Sequence, residues 1–242
     1  MKIGIITDIH SNVQALNAVL KEFDKVGVDK IICCGDIIGI GINPEEVVQK
    51  LISKKENLVA IKGNHEQYLL EGLPKEVHDN KRNMSSDEIK NHKWNHKKLS
   101  EESKEFLNEL ELSEYIEIER KRLYLIHYPV KENGTYKKHI KNPNVTECKE
   151  MFKEIDADIF LFGHTHASSI NKEGDKWYIN TGSLGCPMNS NIANAGLLEI
   201  NDGKVKFTSI KVEYDVKEII EEMNRQKFPH HEKILQIFYG IQ

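Results

Sequence analysis

Seven side chains of metal-binding type follow five short apolar stretches in this sequence. The stretches lie at 4–7, 31–34, 58–61, 123–126 and 159–162. The polar residues that follow them are Asp8, His10, Asp36, Asn64, His127, His164 and His166. Taken singly, an Asp or His after a strand is usually a helix cap or a solvated side chain, but seven at equivalent points indicate a shared role. Because ligand sites in open α/β sheets gather at the carboxyl ends of strands, we expect these groups to converge.

The ligand chemistry is that of a catalytic site for two divalent transition metal ions. Carboxylate, imidazole and carboxamide groups suit Mn, Fe, Co, Ni or Zn, and Mn is favoured here. No thiolate is among them, which argues against a closed structural zinc site. Two metals about 3.5–4 Å apart need a bridging ligand, for which we predict Asp36, and can then share a nucleophilic hydroxide and bind a phosphoryl oxygen. With Asp8 as the second carboxylate, the centre keeps about two positive charges for an anionic substrate.

Three further residues are predicted to act on the substrate. His65 directly follows Asn64, so the two side chains cannot easily bind the same metal. We predict that His65 faces the leaving group, where an imidazolium would stabilise developing charge and protonate the departing alkoxide. Asn12 and Tyr128 stand just after ligand groups and are predicted to reach the substrate, although turn and capping roles fit them equally well.

Apolar strands that alternate with amphipathic helices must position these groups. Strands are predicted at 2–7, 30–34 and 58–61, with helices at 13–26 and 44–54, which is typical of strands joined by crossover helices. The pattern then predicts a hairpin at 115–119 and 122–127, a helix at 145–155 and a buried strand at 159–162. Two more hairpins turn at 173–175 and 201–203, and a helix follows at 216–225.

The chain is expected to form one α/β domain over residues 1–242. Its 242 residues lie near the upper end of the size of a single domain, and no repeat or linker divides them. A polar helical stretch at about 74–110 is predicted to be an inserted cap that sets substrate size. Trp94 in this cap could stack on a nucleobase, but a role as an anchor is favoured. Residues from about 213 to 242 are predicted to form a C-terminal helix and tail.

The composition restricts partners and location. The formal net charge of -4 gives no general attraction to nucleic acid or to an anionic membrane, so neither is an expected partner. Asp8 and His10 interrupt the first apolar stretch, which leaves no signal sequence or membrane span and predicts a cytoplasmic protein. The expected partner is a small phosphoester, and oligomerisation remains open. Cysteines without CxxC spacing are interpreted as buried thiols: Cys33, Cys34, Cys148 and Cys186.

The remaining histidines are assigned no chemistry. His92 and His96 have the i, i+4 spacing of a helical metal pair, but the segment is rich in lysine and lacks the acidic residue of an HExxH pattern. A solvated helix face is therefore the favoured interpretation. The other histidines in polar stretches are interpreted as surface residues: His78, His139, His230 and His231.

The ligand groups and their neighbours resemble the calcineurin-like metallophosphoesterase superfamily. The blocks that carry the resemblance are Asp8-Ile9-His10, Gly35-Asp36, Gly63-Asn64-His65-Glu66, His127 and Gly163-His164-Thr165-His166. They span most of the chain, in the family's order, and imply a four-layer αββα sandwich with a dimetal site at one edge. The resemblance also implies that Asp36 is shared between two metals. It places one metal on Asp8, His10 and His166, and the other on Asn64, His127 and His164.

The segments 36–44 and 180–185 are similar to a bacterial and archaeal phosphodiesterase branch of that family. Members usually show GDxxGYGPxP in the first segment and NPGS in the second. This chain has Ile40 where an aromatic residue is common, Ile42 for the first proline of GDxxGYGPxP and Thr181 for the proline of NPGS. These departures affect the substrate rim and leave the ligands intact.

The arginines bear on the substrate class. Protein Ser/Thr phosphatases and symmetrical diadenosine tetraphosphate hydrolases carry arginines beside similar blocks. Here none is adjacent to a motif, and the four arginines are Arg82, Arg120, Arg122 and Arg225. Because lysine replaces a bidentate arginine poorly, phosphodiester or nucleotide substrates are favoured over phosphoproteins.

The sequence therefore predicts a metal-dependent phosphoesterase that acts on phosphodiester or nucleotide-type substrates. A nucleotidase or phosphomonoesterase, or a dinucleoside polyphosphate hydrolase, would use the same centre. A different class, a non-catalytic scaffold that binds a protein partner on this fold, is disfavoured by the complete ligand set.

Overall fold

Two five-stranded sheets form the centre of the protein in the computed structural model, which describes residues 1–77, 82–132, 134–188 and 190–241. The strands are β1 (Lys2–Ile6), β2 (Lys30–Cys33), β3 (Leu58–Ala60), β4 (Glu76–Val77), β5 (Arg82–Asn83), β6 (Ser113–Ile118), β7 (Lys121–Ile126), β8 (Ile159–Leu161), β9 (Ser169–Glu173), β10 (Lys176–Asn180), β11 (Ile192–Asn201) and β12 (Lys204–Glu213). The helices are α1 (Val13–Val26), α2 (Pro44–Ile52), α3 (Asn64–Leu70), α4 (Ser86–Lys98), α5 (Glu101–Glu109), α6 (Val145–Met151), α7 (Val216–Arg225) and α8 (His231–Ile234). A 3₁₀ turn at Lys55–Asn57 and a π-helical turn at Leu235–Tyr239 complete the ordered elements of the described ranges.

Both large sheets are mixed, with three parallel strands in each. The first has the order β12-β11-β1-β2-β3, in which β1, β2 and β3 pair in parallel and β11 pairs antiparallel with both β1 and β12. The second has the order β6-β7-β8-β10-β9, in which β7, β8 and β10 are parallel and β6 and β9 pair antiparallel at its edges. The five apolar stretches that precede the predicted ligands therefore end at the carboxyl ends of parallel strands.

Three apolar clusters give the fold its four layers. Ile5, Leu125 and Leu161 belong to the cluster between the two sheets. A second cluster joins the outer face of the first sheet to α1, α2, α5 and α7, and a third joins the second sheet to α6. The two adjacent thiols separate as strand geometry requires, because Cys33 lies in the helix-side cluster and Cys34 in the cluster between the sheets. The predicted αββα sandwich is confirmed, and all four cysteines are buried and unpaired.

Local sequence signals account for most element boundaries. The Asn12 side chain accepts a hydrogen bond from Ala15 N at the start of α1, and Gly27 ends this helix at a φ of 69°. Pro44 occupies the first turn of α2, as predicted. The β11–β12 hairpin turns through Asp202 and Gly203, both with positive φ.

The predicted cap consists of more than helices. The short β4–β5 ribbon precedes α4 and α5, and a capping box of Ser85 and Glu88 starts α4. Trp94 packs edge-on against Phe228 at a centroid distance of 4.7 Å, which is the anchoring role favoured above. Among the described residues, no helix is both long and apolar enough to cross a membrane.

Candidate metal centre

The loops after the parallel strands are joined by backbone hydrogen bonds at the edge of the sandwich. Asp8 N and His10 N donate to Gly35 O and Asp36 O, each at 3.0 Å, which joins the loops after β1 and β2. Gly163 N donates to His127 O at 2.8 Å and joins the loops after β7 and β8 in the other sheet. The two pairs meet because the carboxylate of Asp8 accepts the N–H of His164, at 3.0 and 3.1 Å.

Five of the seven predicted ligands have left-handed backbone conformations. Their φ values are 52° at Asp8, 47° at His10, 51° at Asp36, 73° at His164 and 58° at His166. Such a conformation costs a residue other than glycine about 1–3 kcal/mol and persists where the surrounding structure enforces it, commonly at functional sites. The chain thus uses backbone strain to direct these side chains to one point.

The first group of candidate ligands is formed by Asp8, His10 and His166. The Nε2 atoms of His10 and His166 are 2.9 Å apart, and they lie 3.8 and 3.5 Å from Asp8 Oδ1. Asp8 and His10 are buried. One ligand atom from each residue lies within 4.8 Å of the others, which is close enough for one metal ion to contact all three.

The second group is formed by Asp36, His127 and His164, whose candidate ligand atoms also lie within 4.8 Å of one another. His127 Nε2 is 3.1 Å from Asp36 Oδ2 and 3.2 Å from His164 Nδ1. His10 Nε2 of the first group is 3.7 Å from the same Asp36 oxygen. Asp36 therefore lies between the two groups, where a bridging carboxylate is required.

The donor atoms fit metal ions better than they fit one another. His127 Nδ1 lies 2.7 Å from Cys34 O, so the N–H belongs there and the lone pair of Nε2 faces the Asp36 carboxylate. His10 Nδ1 lies 3.3 Å from Ile38 O, which likewise leaves its Nε2 lone pair facing His166. Asn64 Oδ1 is buried without a hydrogen-bond partner. Acceptors that face acceptors need a cation between them, and buried polar atoms need partners, so the described residues suit bound metal ions.

The pKa values of these side chains reflect the same excess of acceptors. Burial opposes ionisation of Asp36, yet the surrounding histidines, His127 foremost, hold its pKa well below the usual range. Burial alone lowers the pKa of His127, but the Asp36 carboxylate outweighs this effect and raises the pKa to about 9. Burial lowers the pKa of His10 to about 3. The arrangement of acceptors thus favours a positive charge next to Asp36.

Glu66 holds the loops behind the second group. Its side chain is fully buried, and it accepts hydrogen bonds from the backbone N–H groups of Asp36, Ile37, Ile38 and Gly63 at 2.7–3.0 Å. Burial and the nearby Asp36 raise the pKa of Glu66 to about 7, although the backbone donors oppose the shift. A Cβ on Gly63 would collide with the Asp36 carboxylate, which explains the glycine before Asn64.

Glu66→Gln is expected to destabilise the protein and weaken metal binding. The amide would turn an NH₂ group toward two backbone donors, and each buried donor left unpaired costs about 1–3 kcal/mol. We expect a loss of about 3 kcal/mol in the free energy of unfolding, measured by denaturant titration. Glu147→Gln is the matched control, since Glu147 fills the same capping-box position in α6 at the surface. Equal stability of the two variants would contradict the anchoring role.

His65 lies beside the two ligand groups and forms a third compact set of candidate ligand atoms with His10 and Asp36. Side chains that the sequence did not associate with His65 surround it. Its Nε2 is 3.9 Å from Asp36 Oδ2, and its ring packs against His10, Tyr68 and His92 at centroid distances of 4.8, 5.6 and 4.9 Å. Burial lowers the pKa of His65 to about 3. The solvated face predicted for His92 is wrong, because the cap packs this residue against His65 and leaves it only 6% exposed.

His139 also belongs to this region, and its prediction as a surface residue is wrong. Its Nε2 lies 2.6 Å from Nε2 of His164, and the two rings meet edge-on at 4.0 Å. If His164 were to bind a metal ion through Nδ1, its ring proton would lie on Nε2, where His139 is placed to accept it. His139 is a second residue that sequence reasoning missed, because its chain neighbours are polar and carry no motif.

The side chains of Asn12 and Tyr128 are used by the fold. Asn12 caps α1 and donates to Gly185 O at 2.8 Å, and it is buried. Tyr128 is fully buried, and its hydroxyl accepts from Ile140 N at 2.9 Å and donates to Lys138 O at 3.3 Å. These bonds grip the loop on both sides of His139. These hydrogen bonds give both residues positioning roles, in line with the turn and capping roles that the sequence left open.

The remaining histidines of the polar stretches are half-buried wherever the structure describes them. His230 and His231 are half-buried rather than exposed, and His231 Nδ1 lies 2.9 Å from Phe228 O. His96 is half-buried next to His92, with ring centroids 6.0 Å apart. His78 lies outside the described residues.

A cleft of about 300 Å³ opens beside the candidate metal centre and is here called the cap cleft. Asn64 and His65 border it next to the ligand groups, and its lining also includes Arg82, Met84 and Phe238. The cap thus brings an arginine into the same cleft as His65, although no arginine adjoins a motif in the sequence. The Arg82 guanidinium is bound by both carboxylate oxygens of Glu88, at 2.7 and 2.9 Å.

This combination of an αββα sandwich and an Asp/His cluster at the ends of its parallel strands defines the class of metal-binding phosphoesterases. Residues 1–203 match the family described as the calcineurin-like phosphoesterase superfamily domain. The chain belongs to this superfamily, as the sequence motifs indicated.

Several known proteins are similar to the chain. The uncharacterized protein MJ0912 of Methanocaldococcus jannaschii is 30% identical and covers 94% of this chain and 93% of its own length. The phosphodiesterase YfcE of Escherichia coli K12 is 21% identical and covers 82% of this chain and 88% of its own length. Among solved structures, hypothetical protein PH1004 of Pyrococcus horikoshii superposes with a TM-score of 0.82 at 20% identity and covers 100% of this chain and 99% of its own. A metallophosphoesterase of Sphaerobacter thermophilus superposes with a TM-score of 0.75 at 22% identity over 100% of both chains, and these two likenesses concern the fold.

Proposed function

We propose that the chain is a phosphodiesterase that depends on two divalent metal ions. The observation that carries the proposal is the position of Asp36 between two groups of ligands, each compact enough for one ion. A single carboxylate shared by two sites is what a dinuclear phosphoester hydrolase requires. The likeness to the phosphodiesterase YfcE agrees with the reaction class.

The proposed ligand sets follow the two groups. Asp8, His10, Asp36 and His166 hold one ion. Asp36, Asn64, His127 and His164 hold the other, and the unpartnered Asn64 Oδ1 completes the second set. Nitrogen and oxygen donors without thiolate suit Mn, Fe, Co, Ni or Zn, and we favour Mn.

The reaction proposed is hydrolysis of one P–O bond. Two bound ions would lower the pKa of the attacking water and balance the charge of the phosphoryl oxygens. His65 donates the proton that lets the leaving group depart as an alcohol. Burial keeps the His65 imidazole neutral in the protein without substrate. We propose that His65 gains this proton when the anionic substrate binds, because the negative charge of the substrate favours the imidazolium. Asp36 Oδ1 accepts the His65 backbone N–H at 3.0 Å and fixes the start of α3.

A comparison of two chromogenic substrates tests the proposed reaction class. With Mn²⁺ added, bis-p-nitrophenyl phosphate should be hydrolysed with a higher kcat/KM than p-nitrophenyl phosphate. The reverse preference would replace the proposal with a nucleotidase or phosphomonoesterase on the same centre. Failure to hydrolyse either ester with Mn²⁺ or Ni²⁺ bound would favour a non-catalytic scaffold for a protein partner.

Removal of metal is expected to abolish turnover and lower the melting temperature. A ligand at 100 times its dissociation constant stabilises the native state by about 2.7 kcal/mol, so dialysis against a chelator should destabilise the fold measurably. Readdition of Mn²⁺ should restore both activity and melting temperature, followed by calorimetry and by hydrolysis of bis-p-nitrophenyl phosphate. Full activity after exhaustive chelation would contradict metal dependence.

The proposed partners follow from charge. We propose a small phosphoester substrate and no stable binding of nucleic acid or membrane, because the net charge of -4 gives no general attraction to polyanions. A cytoplasmic location is part of the same proposal. A homo-oligomer is compatible with this function.

A further inference from the structure

The cap cleft is continuous with the proposed catalytic centre. Asn64 and His65 form its inner wall, and His65 is the proposed proton donor. Phe238 also lines the cleft, and the Phe238 ring lies 5.7 Å from the ring of the candidate ligand His166. A group bonded to a phosphorus between the two ligand sets can therefore extend directly into this cleft.

The walls of the cap cleft are largely apolar. Ile40, Tyr68, Met84, Ile237 and Phe238 line it from four separate parts of the chain. Tyr68 is buried, while Met84, Ile237 and Phe238 are half-buried, so their apolar surfaces are open to a ligand. Pockets for small molecules are mostly apolar with a few polar groups that set orientation.

The charges in the cap cleft are balanced. The Arg82 guanidinium forms a bidentate pair with Glu88, so the pair adds no net charge to the wall. An anionic leaving group, such as a second phosphate, would have to compete with Glu88 for this cation. An uncharged leaving group can occupy the cap cleft without competing with Glu88 for Arg82.

Ile40, which lines the cap cleft, has a strained backbone conformation. Its φ of 59° is a left-handed conformation that is unusual for a β-branched residue. The loop is fixed from the cap, because Asn91 Nδ2 donates to Ile40 O at 3.2 Å and Asn95 Nδ2 donates to Gly41 O at 3.1 Å. Strained residues that neighbouring structure enforces are concentrated at ligand sites.

We infer that the cap cleft binds the leaving group of the substrate, and that this group is uncharged, planar and about the size of a nucleoside. The inference rests on the proposed phosphodiesterase function and adds a substrate class to it. Sites for small molecules commonly have volumes of about 300–1,000 Å³, so a cleft of about 300 Å³ holds one ring system with its sugar rather than a polymer.

The position of His65 decides which half of the diester occupies the cap cleft. Hydrolysis adds the oxygen of water to phosphorus, breaks the bond to the leaving oxygen and places a proton on that oxygen. The donor must contact the leaving oxygen, and His65 stands where the cap cleft meets the ligand sets. The half that enters the cleft is therefore released as a neutral nucleoside, and the phosphomonoester stays with the metals.

Adenosine and ribose are suitable probes because they test the cleft without turnover. Both are titrated into the Mn²⁺-loaded protein by calorimetry and tested as inhibitors of bis-p-nitrophenyl phosphate hydrolysis. Adenosine should bind at least about tenfold more tightly than ribose and compete with the ester, because only its base has a planar apolar face. Inorganic phosphate serves as a probe of the metals alone.

Met84→Trp fills the cap cleft and should weaken adenosine binding by about tenfold or more, while inhibition by phosphate stays within about twofold. Met84→Ala, which leaves the backbone unstrained, should weaken it several-fold and serves if the larger residue disturbs folding. Lys97→Trp introduces the same side chain at an exposed position of α4 and should change neither adenosine binding nor inhibition by phosphate.

The inference is overturned if adenosine binds no better than ribose. It is also overturned if the wild type hydrolyses the ester but neither Met84 variant weakens adenosine binding. If the wild type binds adenosine but hydrolyses no phosphoester with Mn²⁺, the proposed function fails and the cleft remains a nucleoside site.

Discussion

Asp36→Asn is expected to lower kcat/KM by about 10³-fold or more, which corresponds to at least about 4 kcal/mol of transition-state stabilisation. Asp36 is expected to have the largest effect because one of its oxygens lies 3.1–3.9 Å from the Nε2 atoms of His10, His65 and His127. Asparagine keeps the shape of the side chain and an oxygen for the His65 N–H, but it removes the charge that two cations would share. Metal content, measured by mass spectrometry of the dialysed protein, should fall below two ions per chain.

The control for this variant is Asp156→Asn. Asp156 pairs with Arg122 at the surface and its side chain is 85% exposed, so removal of its charge should leave turnover and metal content unchanged. A fully active Asp36→Asn protein would contradict the proposed bridge.

His65→Gln is expected to lower kcat by about 10²–10⁴-fold, the usual contribution of a positioned general acid, while metal content stays at the wild-type value. His65 is not in either proposed ligand set, so its loss should separate chemistry from metal binding. The deficit should be larger for an alkyl leaving group than for p-nitrophenolate, because a poor leaving group depends more on protonation. A matched series of methyl and p-nitrophenyl diesters measures this difference.

His231→Gln is the control, since His231 is half-buried and contacts Phe228 O rather than the centre. Equal losses for both leaving groups would argue for a positioning role of His65 rather than proton donation. Loss of metal from His65→Gln would show that His65 is a ligand.

The convergence of the candidate ligand side chains could be predicted from the sequence for a physical reason. Parallel strands end at one edge, so polar residues that follow apolar stretches in β1, β2, β3, β7 and β8 must come together there. The sandwich, the hairpins and the superfamily were predictable from these patterns. Element ends shifted by a few residues, as in α6, which ends at Met151 rather than at 155.

The side chains that complete the site from a distance could not be predicted. His92, Arg82 and His139 reach it only because the cap and the loop before α6 fold back over the strand ends. Their chain neighbours are polar and carry no periodic signal, so local pattern favoured solvent exposure. Whether a residue is adjacent to a motif in the sequence is thus a poor guide to whether its side chain borders a cleft.

For Asn12 and Tyr128 the sequence left two roles open. Both stand next to ligand groups in the chain, yet Asn12 caps α1 and Tyr128 holds the loop that carries His139. A polar residue after a motif has two possible targets, the substrate and the backbone of its own loop, and sequence spacing does not separate them. Only the partner atoms distinguish the two roles.

Titration of the metal-free protein with Mn²⁺ tests the central claim most directly. Hydrolysis of bis-p-nitrophenyl phosphate is followed at each addition, and bound metal is measured on the same samples. If the proposed dinuclear centre is correct, activity should reach its plateau when two ions are bound per chain. A plateau at one ion, or turnover without metal, would contradict the shared role of Asp36.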